Sequence, residues 1–179
     1  MLLAASLLLK ALAIPLLARI AWLDFTTQKI SNSNVLLLLC LGAGSLLLVA
    51  VQSGSWWDMG LSALAGLLLF VVLFPFWVLR KVGAGDVKLL AVIPFLIGGT
   101  GLVVFSLLLL VFAVATAVMV KNPFMLPEGA FRLLVQHLDR KGVVPFGVPI
   151  ALAAICSIVF LIYGSVMLLT SSGVLQQLS

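Results

Sequence analysis

Five acids occur in this chain of 179 residues, and two of them, Asp24 and Asp86, each end or start a long apolar run. An ionisable group at membrane depth is costly and is usually held by a cavity or a partner, so each is a candidate functional group and the other its candidate partner. Two carboxyl groups held close cannot both ionise cheaply; they share a proton and titrate as a unit. Such a pair can activate a water with one member while the other protonates a carbonyl oxygen or a leaving amine, and it needs no metal. Asp86 sits in Gly83-Ala84-Gly85-Asp86-Val87-Lys88. The glycines there permit unusual backbone angles and the close approach of a substrate strand. Helix dipoles suggest a division of labour. Asp86, at a helix start, is the expected base and Asp24, at a helix end, the expected acid.

The elements that must position these acids follow from composition. A chain that is 64% hydrophobic and 8% charged has too little polar surface to coat a water-soluble globule, so it belongs in a bilayer. Its apolar runs of about 20 residues suit membrane-crossing helices, and the alternating polarity of membrane strands is missing. The expected fold is all-α, a polytopic membrane protein of about six transmembrane helices in a single membrane-embedded domain, residues 1–179. The net charge of +5 fits basic residues kept in cytoplasmic loops, so topology explains it without a nucleic-acid partner. Cys40 and Cys156 stand alone in apolar segments and read as small buried hydrophobes. His137 has no Cys or His neighbours at ligand spacing, so no metal site is expected, and it reads as a solvated residue.

Residues Met1 to Leu23 read as a retained first helix rather than a cleaved signal, because no charge precedes Lys10. Lys10 either snorkels to the surface or faces the bundle interior. The polar turn through Ile30-Ser31-Asn32-Ser33-Asn34 suits a helix N-cap, and a second helix covers Val35 to Val51. Trp56 and Trp57 suit an interfacial belt, with Asp58 a loop or cap residue. A third helix runs from Met59 to Leu79 and stops at Arg80-Lys81. The apolar stretch Val87 to Val120 is interrupted at Gly98-Gly99-Thr100-Gly101. Its first piece, about 12 residues, would span about 18 Å, short of the roughly 30 Å hydrocarbon core. If the glycines form a loop at the far face, Asp86 lies below the near surface; Pro94 offers the alternative of a kink in a longer helix. Phe131, Leu134, Val135 and Leu138 make one apolar face within Lys121 to Gly142, which predicts an amphipathic helix on the membrane surface. A last helix runs from Pro145 to Leu169. With Asp24, the glycine motif and the amphipathic segment on one side, that side holds every Lys and Arg except Lys10. The positive-inside rule makes it cytoplasmic and puts both termini outside.

Asp24 with Ile30-Ser31-Asn32, then Gly83-Ala84-Gly85-Asp86-Val87-Lys88-Leu89-Leu90, then Pro145-Phe146-Gly147-Val148-Pro149, resembles the prepilin peptidases of the GxGD membrane aspartyl proteases. The size is similar to that of the short members that serve tight-adherence (Flp) pili. The resemblance implies an enzyme of the bacterial inner membrane that cuts the short basic leader from type IV pilin-like precursors, with Asp24 and Asp86 as its catalytic pair. Gly83, Gly85, Lys88, Asn32 and Pro145 are the residues expected to shape the site. The prepilin precursor and the lipid bilayer are the implied partners. The family commonly has Pro where this chain has Ser31. Larger members also carry a cytoplasmic cysteine-pair domain and methylate the new N-terminus; no such domain is seen in this chain, so no methyl-donor cofactor is implied. Two other classes fit an intramembrane acid pair: a small proton-coupled transporter, although no internal repeat is evident, and a noncatalytic pilus or secretion assembly subunit.

Overall fold

The computed structural model describes residues 2–122, 129 and 145–171. Helix α1 covers Leu2–Thr27, α2 Asn32–Ser53, α3 Trp57–Val78 and α4 Ala84–Ile97; a 3-10 turn, Gly99–Gly101, leads to α5, Leu102–Lys121, and α6 is Gly147–Ser171. No strand occurs among the described residues. The amphipathic helix expected over Lys121 to Gly142, with His137 in it, lies outside them apart from Lys121, Asn122 and Gly129.

The protein is an all-α polytopic membrane protein. Among the described residues, five helices are long and apolar enough to cross a membrane: α1, α2, α3, α5 and α6. The expected count of about six is refined by α4. Its 14 residues rise only about 21 Å. Pro94 lies within α4 without ending it, and the break comes at Gly98, whose φ of 75° suits only glycine at low cost.

Short but central, α4 packs against α2, α3 and α6 and contributes Leu89, Ile93 and Leu96, all fully buried, to the core. Small residues let it in. A Cβ on Gly42 of α2 would stand 2.8 Å from the Phe95 carbonyl carbon, and one on Gly66 of α3 would stand 2.5 Å from the Ala91 oxygen. Such close backbone approach substitutes for the missing hydrophobic drive between helices in lipid. The outer surface is apolar, as a lipid-facing wall must be: Leu64, Leu67, Leu68 and Val71 of α3 and Val103, Leu107 and Leu110 of α5 are all exposed. Cys40 and Cys156 also lie on the outside rather than in the core as expected. A thiol is apolar enough to face lipid, so a hydrophobic segment does not by itself say which way its cysteine points.

Short connections reverse the chain after α1, α2 and α3, which brings the ends of α1 and α3 to the same end of the bundle as the starts of α2 and α4. Toward the opposite end, Lys10 of α1 is half-buried, and Asp58 stands in the first turn of α3.

Candidate functional site

Asp24 lies one turn before the end of α1. It is buried, with 6% of its surface exposed. The N-terminus of α6 covers it: the N–H groups of Gly147 and Val148 face its carboxyl group. Those groups act on it at short range, yet Oδ2 is buried without a hydrogen-bond partner among the described residues. Gly147 makes the approach possible. A Cβ at that position would lie 2.7 Å from Asp24 Cγ.

Asp86 sits at the third position of α4, whose N-cap is Gly83. Its carboxyl group turns back on the Gly83 N–H, which is the return half of a capping box. A Cβ on Gly83 would stand 2.9 Å from Asp86 Oδ2, and one on Gly85 would stand 2.8 Å from Ile30 Cβ. Unusual backbone angles are not what Gly83 supplies, since its φ is −67°. Both glycines supply room: one for the Asp86 carboxyl group and one for the α1–α2 turn against the start of α4.

A cavity of about 540 Å³ is lined by both acids together with Gln28, Trp77, Arg80 and Pro145. An adjoining one of about 370 Å³ is lined by both acids, Gln28, Ile30, Gly83 and Gly85. Four helix ends meet here: the C-termini of α1 and α3 and the N-termini of α4 and α6. Because backbone N–H groups face each carboxyl, the division into base and acid drawn from each acid's own helix no longer follows. Chemically, the arrangement offers two carboxyl groups in a pocket able to admit water and a chain segment. Among the described residues, no group of three or more His, Cys, Asp and Glu side chains comes together as metal ligands would.

The sequence profile of the type IV leader peptidase family matches residues 11–120. The chain belongs to that family. Comparison with curated proteins and with solved structures gives no significant match. The family match takes in both acids and the Gly83–Asp86 segment. It stops short of α6, so Gly147 and Pro145 complete the surroundings of the two acids from outside the matched region.

Not every residue expected to shape the site reaches the cavity. Gly83, Gly85 and Pro145 do. Lys88 and Asn32 do not: Lys88 Nζ donates to Asn32 Oδ1 at 2.9 Å, tying α4 to α2 beside a separate groove. Two residues along a helix is more than half a turn around it, so Lys88 points away from Asp86. Asn32 is the first residue of α2, and the cap is Ser31, whose hydroxyl accepts from the Ser33 N–H at 3.3 Å. At the position where the family commonly has Pro, this chain thus carries a working N-cap. Gln28, Trp77, Arg80 and Gly147 were not singled out as site-shaping residues. Of these, Gln28 follows Asp24 by four residues but lies just past the end of α1, so helix periodicity alone does not place it.

Proposed function

We propose that the protein is an aspartyl endopeptidase of the bacterial inner membrane that removes the short basic leader from type IV pilin-like precursors of the Flp class, with Asp24 and Asp86 as its catalytic pair. Carrying this reading is the convergence of two carboxyl groups, 62 positions apart in the chain, on one cavity at one end of the bundle. One carboxylate takes a proton from water as the oxygen adds to the scissile carbonyl carbon, and the other carboxyl group protonates the carbonyl oxygen. Collapse of the tetrahedral intermediate breaks the C–N bond, and the departing amine takes up a proton from the pair. Lys29, Arg80, Lys81 and Lys88 lie at the cavity end of the bundle. By the positive-inside rule that end faces the cytoplasm, with both termini outside.

The test is to co-express the protein with a Flp-type pilin precursor in a host lacking such a peptidase and to sequence the N-terminus of the pilin. The expected product begins just before the apolar helix of the pilin. Intact precursor beside accumulated peptidase would reject the substrate assignment.

A further inference from the structure

Four helices end at a residue of positive φ, and the four differ by which end of the bundle they occupy. At the end away from the acids, α2 and α4 close on glycines, Gly54 at φ 69° and Gly98 at φ 75°. At the cavity end, α1 closes on Gln28 at φ 55° and α3 on Arg80 at φ 57°. These two are the non-glycine residues of positive φ among the described residues, and both line the cavity with Asp24 and Asp86. The hydrogen bonding at each is that of an ordinary glycine-type helix end. Gln28 N–H donates to the Asp24 carbonyl at 3.0 Å, while Arg80 and Lys81 N–H donate to the Trp77 and Phe76 carbonyls, each at 2.9 Å. Glycine would adopt these angles at least cost, so capping alone does not account for a long polar side chain at both.

We infer that Gln28 and Arg80 are substrate-positioning residues that hold the main chain of an extended peptide across the two carboxyl groups. The inference rests on the peptidase reading above. A glutamine amide offers one carbonyl acceptor and two N–H donors, which matches a peptide group; a guanidinium offers donors only, which suits carbonyl oxygens. Gln28 leaves the chain one turn after Asp24 and lines both compartments that contain the acids. Arg80, exposed at the other wall, precedes the Gly83 cap that holds Asp86 by three residues. Both side chains line the cavity that the two acids share, so a peptide held between them would lie against the pair.

Glycine substitutions separate this role from helix capping, because they ease the backbone while deleting the side chain. Full-length protein in proteoliposomes is assayed on a pilin precursor for kcat and KM, with Tm measured alongside. Loss of a neutral hydrogen bond predicts a KM about fivefold higher for Gln28→Gly, and loss of a charged one about thirtyfold higher for Arg80→Gly. In both, kcat changes less than KM, and Tm is no lower than that of the wild type. Gln28→Asn and Arg80→Lys, which keep an amide and a charge, recover part of the affinity. An unchanged KM in either glycine variant, with wild type active, overturns the assignment of that residue and leaves the peptidase reading standing. A loss of cleavage that follows a fall in Tm returns the residue to capping and overturns the inference. A wild type that does not cleave overturns the inference together with the reading it rests on.

Discussion

Asp24→Asn and Asp86→Asn are each expected to slow leader removal by at least about 10³-fold, the usual scale for loss of a proton-transferring group that works as part of a unit. Asparagine keeps the shape of aspartate but can neither take a proton from water nor return one to the leaving amine. The loss should not come from unfolding. Asp24 is buried with Oδ2 unpartnered among the described residues. A neutral amide is cheaper to hold there than a carboxylate. Both variants should therefore accumulate in the membrane and melt no lower than the wild type. Pilin processing read by gel mobility, together with peptidase abundance, checks both halves of this expectation. Normal processing by either variant would remove that acid from the pair.

Gly147→Ala is expected to cut the rate by about a hundredfold, since displacement of a reacting group by about 1 Å has that cost. Its Cβ would meet Asp24 at 2.7 Å on Cγ and at 3.0 Å on Cβ. Contact near the root of the side chain cannot be relieved by swinging its tip. Either Asp24 leaves its rotamer or the start of α6 shifts away, and both change the spacing of the pair. Gly164→Ala, on the same helix with open space around it, is the control and should cleave at the wild-type rate. Initial rates of the two variants on one precursor decide the matter; equal rates would show that the α6 approach has no bearing on catalysis.

The helices were legible in the sequence because lipid imposes long apolar runs; the break after α4 was legible only as two alternatives, a loop at the glycines or a kink at Pro94, and the backbone angles of Gly98 decide for the first. Both acids were legible as well, being ionisable groups at the edges of such runs. The seating of α6 over Asp24 was not. It joins residues more than a hundred positions apart, and only the packing of α1 against α6 creates it. Lys88 stands two positions after Asp86 on one helix and so faces another way, which the motif written as a string does not display. Gln28 and Arg80 escaped notice because left-handed helix ends are ordinarily announced by glycine, and neither residue carries that signal. Cys40 and Cys156 show the converse limit: around a membrane helix every face can be apolar, so hydropathy identifies the helix but not its inner side.

The account depends on Asp24 and Asp86 acting on one scissile bond, and single-turnover cleavage by Asp24→Asn, Asp86→Asn and the double variant tests this most directly. Groups that act as a unit lose nearly everything with the first substitution. The double variant should then be no slower than the slower of the two single variants. Losses that multiply in the double variant would contradict the shared site, since independent effects add as free energies.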